Sequence, residues 1–211
     1  GVPYRIVGGT RFFERKEIRD VMAYLSLAVN PADDMSAQRV INVPKRGIGK
    51  TAVERINQFA REMGMTFLEG AELLIADPEA RPATRKAVAE FVQLVKASQG
   101  YGGDLRKVIE RIVDDSGLIE ALEAEGTDEA QGRIENIQEL MGVVDEFVET
   151  HDDEDAEFAA PTAGLGEAVA AAEGAAGAEG GEGAAPPRVL RGDSLADFIE
   201  WVRLRTDLDT M

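Results

Sequence analysis

Apolar residues recur every three or four positions through most of this chain, a spacing that restricts it to packed amphipathic helices. Ile18, Val21, Met22, Leu25 and Val29 form one such face. Val53, Ile56, Phe59, Ala60 and Met63 form a second, with Gly64 placed to end it. Thr51 and Glu54 have the form of a capping box opening that helix. Further helices are predicted over 66–76 and 82–98. Leu105, Val108, Ile109, Ile112 and Val113 define another, stopped by Gly117, and Ile134, Ile137, Met141, Val144, Phe147 and Val148 carry a long one. Ser194 is placed to cap a last helix facing inward through Leu195, Phe198, Ile199 and Val202, with Trp201 assigned to packing. Only Tyr4 to Val7, ahead of Gly8-Gly9, has the character of a strand. The predicted fold is mainly α, a multi-helix bundle with one short N-terminal strand.

One stretch breaks the pattern. Residues 149–187 are dominated by Gly, Ala, Glu and Pro, with Phe158, Leu165 and Val169 almost the only sizeable apolar groups. Such a composition cannot offset its ordering entropy, so a disordered acidic insertion is expected there. His151, the only histidine, stands at its edge beside Asp152 and Asp153, and a floppy segment would not hold a metal. The chain divides into 1–9, an edge strand; 10–148, a helical body; the insertion 149–187; and 188–211, a returning helix.

The net charge of −17 taken alone disfavours a nucleic-acid partner, yet it is unevenly spread. Residues 1–61 carry eleven Lys/Arg against six Asp/Glu, whereas 62–148 carry eight against nineteen. Residues 149–187 carry ten acids and no base. A surface attracts ions through its local field over about 8–10 Å, so only the N-terminal third suits an anion. The chain has no cysteine, which fits a reducing compartment. No apolar run is long enough to span a bilayer, and the Gly1-Val2-Pro3 start suggests a segment of a longer protein rather than a signal peptide.

Within the basic third lies VPKRGIGKTAVE, residues 43–54, whose Gly49-Lys50-Thr51 ending imitates a nucleotide-binding loop. A Walker A loop needs glycine where this chain has Pro44, which lacks an amide hydrogen and has a fixed φ. No apolar strand runs into an Asp suited to magnesium. What remains is a tight turn. Gly47 and Gly49 flank Ile48, which can anchor the turn in the core, and the turn leads into a helix N-terminus that favours an anion. Lys45, Arg46 and Lys50 surround it with positive charge. Helix-hairpin-helix elements hold nucleic-acid backbones in this way, without reading bases. An ordinary helix–helix turn with solvated lysines is the alternative from this stretch alone.

Taken in order, GVPYRIVGGTRFFERKEIRDVMAYL (1–25), VINVPKRGIGKTAVE (40–54), VDDSGLIEAL (113–122) and EAQGRIENIQELMGVVDEF (129–147) resemble landmarks of the UvrD/PcrA/Rep family of DNA helicases. Their order and spacing resemble that family's accessory 2B subdomain, inserted into motor domain 2A. Residues 1–9 resemble the last strand of 2A before the insertion, and 194–206 the return towards it. The acidic segment departs from the better-known members. The resemblance implies a regulatory subdomain that grips duplex or forked DNA and swivels, within a cytoplasmic, nucleoid-associated 3′–5′ helicase acting in DNA repair or replication. ATP and Mg2+ would belong to the parent's motor domains, so this segment is expected to be non-catalytic and without a cofactor or metal of its own. Its implied partners are DNA, domains 1A, 1B and 2A of the same parent, and a DNA-repair or transcription protein, with no membrane. The implied DNA contacts fall on Gly47, Ile48, Gly49, Lys50 and Thr51, with Lys45 and Arg46 alongside. The hinge would fall at Gly8, Gly9, Phe12 and Phe13 and again near Arg203 and Arg205, with the two phenylalanines packing rather than stacking on DNA. The competing function is a protein-interaction module that docks a basic partner through the acidic face of 62–148.

Overall fold

The computed structural model describes residues 10–157, 191–192 and 194–208, and places ten helices and no strand among them. The strand expected over Tyr4 to Val7, the hinge glycines Gly8 and Gly9, and most of the acidic segment lie outside the described residues. In chain order the helices are α1 (Thr10–Glu14), α2 (Lys16–Val29), α3 (Asp34–Val40), α4 (Lys50–Met63) and α5 (Phe67–Ala76). They continue as α6 (Pro82–Gln99), α7 (Leu105–Ser116), α8 (Leu118–Glu125), α9 (Asp128–Glu157) and α10 (Leu195–Leu208).

Local chemistry explains most of the boundaries. Asp33, Thr66 and Asp104 each accept a backbone N–H at the head of α3, α5 and α7, and Ser194 Oγ accepts the Asp197 N–H at 3.3 Å to start α10. Gly64 and Gly117 end α4 and α7 in the left-handed region, at φ 61° and 77°. The capping box is at Thr66 and Glu69, not at Thr51 and Glu54. The Val53 N–H already donates to the Gly49 carbonyl, so the helix starts at Lys50 and Thr51 lies inside its first turn. Helix α9 also runs past the boundary expected at 149, to Glu157. There His151 is buried, its Nδ1 2.8 Å from the Phe147 carbonyl and its ring 4.3 Å from that of Phe147. Packing against an aromatic wall holds this turn in the helix despite its polar sequence.

Helix α2 is the central element, touching α1, α3, α6, α7, α9 and α10. Ile18, Val21, Leu25 and Leu27 are fully enclosed on it, while Val29, expected on the inner face, is 44% exposed at the C-terminal end. Met63 is likewise 64% exposed; α4 lies at the edge and contributes only Ile56 to the deep core. Phe67, Phe91, Phe147 and Phe198 fill the space between the other helices. Trp201 lies 5.3 Å from Phe147, as a packing residue.

Asp20 on α2 is buried and accepts from Arg39 Nε of α3 at 2.9 Å. Desolvation raises its pKa above the ordinary 3.8, outweighing the opposing pull of Arg39 and Lys16. The folded chain therefore holds this proton more tightly than the unfolded chain. Its contribution to stability is complete below the ordinary value and is lost as pH rises through the raised one. Asp20→Asn should flatten that decline, measured as the difference in denaturation midpoint between the two proteins from pH 3 to 7. Parallel profiles would show that Asp20 titrates normally.

Candidate nucleic-acid interface

In the segment between α3 and α4 one side chain gathers the loop's amides. Asn42 Oδ1 accepts the Arg46 N–H at 2.8 Å and the Ile48 N–H at 3.2 Å, bending the chain around itself. Val43–Pro44 is cis, and Gly47 has φ 76°, a conformation that favours glycine. Ile48 is 1% exposed and pins the turn into the core, as its flanking glycines suggested. Gly47, Gly49, Lys50 and Thr51 are exposed, and a Cβ at either glycine would meet nothing within 4 Å, so solvent or a ligand reaches the backbone directly.

This turn opens α4. The helix has no side-chain cap and no acid in its first turn, so the amides of Lys50, Thr51 and Ala52 have no intrahelical acceptor. Lys45 is exposed. Lys50 is 90% exposed and makes only a 3.8 Å contact with Glu54, a pair of the kind that contributes little in water. A groove of about 570 Å³ runs beside the turn, bordered by Gly47, Gly49, Thr51, Arg55, Arg81 and Thr84. Arg55 is engaged there by Asp77 at 3.3 Å and Glu79 at 3.7 Å. Arg81 and Thr84 come from the start of α6, and no motif around them signals the approach.

Arg46 is not where the sequence suggested. Its guanidinium turns inward, with Nη1 within 2.9–3.4 Å of the carbonyls of Val40, Ile41, Val43 and Pro44. Nη2 donates to the Tyr24 hydroxyl at 2.7 Å and to the Ser116 carbonyl at 3.0 Å. Burial raises the Tyr24 pKa against the pull of Arg46, keeping the hydroxyl protonated and able to donate to the Val43 carbonyl. Lys45 and Lys50 are thus the cations exposed at the turn, and the Arg46 guanidinium is not. The same arrangement does not fit a nucleotide triphosphate. Asn42 occupies two of the amides a phosphate cradle would use, and the adjacent cation faces the core.

The other expected residues lie on α1 and α10, two helices that touch each other. Phe12 and Phe13 are buried, edge to face at 5.2 Å, on the α1 side that meets α2 and α10. Arg203 is exposed, whereas Arg205 lies over Trp201 at 4.3 Å and 3.6 Å from Glu146. Among the described residues, no three His, Cys, Asp or Glu side chains converge on a metal-sized site, and no helix is long and apolar enough to cross a membrane.

Among the described residues, fold and turn define a helical module with an exposed glycine turn that opens a helix N-terminus and carries two exposed lysines. Comparison with known families gives the module its place. Residues 1–210 match the UvrD-like helicase C-terminal domain, and the chain belongs to that family. It is 39% identical over 157 residues to the ATP-dependent DNA helicase PcrA of Bacillus subtilis, covering 72% of this chain and 21% of that protein. It is 37% identical over 153 residues to a probable DNA helicase II homolog of Rickettsia conorii, covering 72% and 23%. With DNA helicase II of Escherichia coli it shares 36% over 156 residues, covering 73% and 22%. The chain thus spans between a fifth and a quarter of the length of these curated relatives.

Proposed function

We propose that this chain is the duplex-gripping, regulatory 2B-type subdomain of an ATP-dependent 3′–5′ DNA helicase, and that it performs no ATP chemistry itself. The observation that carries this reading is the turn: exposed glycines, uncapped amides at the head of α4 and two exposed lysines, all fixed by buried Ile48. Such a surface binds phosphate by main chain and point charge, and has no means of distinguishing bases. Family membership and the helicase names of its relatives support DNA as the anion.

Two or three phosphate contacts give a log–log salt slope of roughly −2 to −3. The double change Lys45→Ala and Lys50→Ala should weaken duplex binding about equally for all sequences and reduce the slope by about 2. Fluorescence anisotropy over a salt series measures both quantities. Unchanged low-salt affinity in the double variant would remove this turn as the grip.

The rival protein-docking function is less favoured by the acidic face itself. Arg106 contacts Glu110 and Asp145, and Arg133 contacts Glu129, so part of that charge is neutralised within the chain. The proposed swivel falls on Phe12 and Phe13 of α1 and Arg203 and Arg205 of α10, two helices that touch each other.

A further inference from the structure

The side chain with the most polar contacts in the described structure is a cation with no carboxylate. Among the described residues, no Asp or Glu lies within ion-pair distance of the Arg46 guanidinium. Its charge is balanced by carbonyl dipoles instead. Val40 and Ile41 close α3, and Ser116 closes α7, so carbonyls from two helix C-termini converge on one group, that of Val40 also accepting the Val43 N–H at 3.0 Å. The ring of Phe91 on α6 lies beneath it at 5.4 Å, and Tyr24 of α2 accepts from it. One residue of the glycine turn is thereby fastened to four helices. The four N–H of Nη1 and Nη2 are shared among these six acceptors from two separate atoms of a flat fork, a spread that the single nitrogen of an ammonium cannot reach.

The corner it reaches lies close to the turn. At Gly117, between α7 and α8, φ is 77° and an added Cβ would sit 3.5 Å from Pro44 Cγ. The turn therefore rests against the α7–α8 corner through Pro44 and is bonded to it through Arg46. Gly47 and the amides at the head of α4 follow directly in the chain, so their direction is set from inside the core.

We infer that Arg46 is the positioning residue of the phosphate grip: it contacts no DNA and acts by holding the Gly47–Ile48–Gly49 turn against α2, α3, α6 and the α7–α8 corner. This rests on the grip reading above, and it separates two properties that a surface arginine would join. A phosphate-contacting arginine can be replaced by lysine at small cost in affinity, and its loss removes about one unit of salt slope. A positioning arginine cannot be replaced by lysine, and its loss leaves the slope unchanged.

The test measures duplex binding of the full 211-residue chain and its Arg46→Lys, Tyr24→Phe and Lys50→Ala variants by anisotropy over a salt series, with circular dichroism confirming the folded state at each temperature. Arg46→Lys should bind about tenfold more weakly, about 1.4 kcal/mol, with the parent's slope. Tyr24→Phe, which removes only one of the guanidinium's partners, should shift affinity in the same direction by a smaller factor and keep the test open if Arg46→Lys does not fold. Lys50→Ala should lower the slope by about one unit. Arg46→Lys within twofold of the parent, or folded Tyr24→Phe indistinguishable from it, overturns the positioning role alone. A parent chain that binds no duplex at low salt overturns the grip reading and this inference together.

Discussion

Phe147→Ala should be the most damaging single truncation, destabilising the chain by about 3–5 kcal/mol. Phe147 is fully buried, and its ring is 5.4 Å from Phe198, 5.3 Å from Trp201 and 4.3 Å from His151. It therefore joins the C-terminal half of α9 to α10, which reaches α9 only after the long acidic segment. Removing the ring leaves a cavity whose walls belong to two helices, and the aromatic contacts are lost with it. Trp201 is the only tryptophan, so its fluorescence reports the event directly. The expected result is a lower unfolding midpoint, by roughly 2–4 °C for each kcal/mol, together with a red-shifted Trp201 emission in the folded protein. An unchanged midpoint and spectrum would show that α10 does not dock on Phe147.

Gly70→Val should be the second, and its effect should reach the grip. Gly70 lies on α5 where that helix crosses α4, and a Cβ there would stand 2.7 Å from the Ile56 carbonyl oxygen and 3.3 Å from Ile56 Cγ2. The first of these atoms is backbone and cannot rotate aside, so α4 must move as a body. Overpacking of this kind costs about 1–3 kcal/mol, and more when a helix backbone is displaced. Because α4 carries Lys50 and Thr51 at its head, duplex affinity should fall with stability, whereas Lys45→Ala with Lys50→Ala should lower affinity and spare stability. Thermal unfolding and anisotropy on the same samples distinguish the two. A Gly70→Val protein as stable as the parent would mean that α4 and α5 are not in backbone contact.

The helical fold was legible because amphipathic periodicity is a one-dimensional record of which face is buried. Helices α4 to α7 begin and end within about two residues of the expected positions, marked by Gly64 and Gly117. Helices α3 and α8 were not anticipated; at seven and eight residues they are too short to repeat a pattern. The extension of α9 to Glu157 was hidden because composition there favours solvent, while the aromatic wall against His151 combines Phe147 of α9 with Trp201 of α10. At the turn, the structure leaves Gly47, Gly49, Lys45 and Lys50 exposed and buries Ile48, as the sequence suggested. The sequence misplaced Arg46, because a cation beside a glycine turn looks the same in one dimension whether it faces phosphate or carbonyls.

By itself, then, the sequence determined the class, the order of the main helices, the family, and the position of the exposed glycine turn. These are local properties, written in spacing, in glycine, and in the proline that excludes a Walker loop. Only the tertiary structure decided which cations face outward. Arg46 turns inward because the carbonyl ends of α3 and α7 converge on it from residues 40–41 and 116, far apart in the chain. Lys45 and Lys50 stay outside because no such acceptors reach them, and a lysine left in water has little reason to leave it.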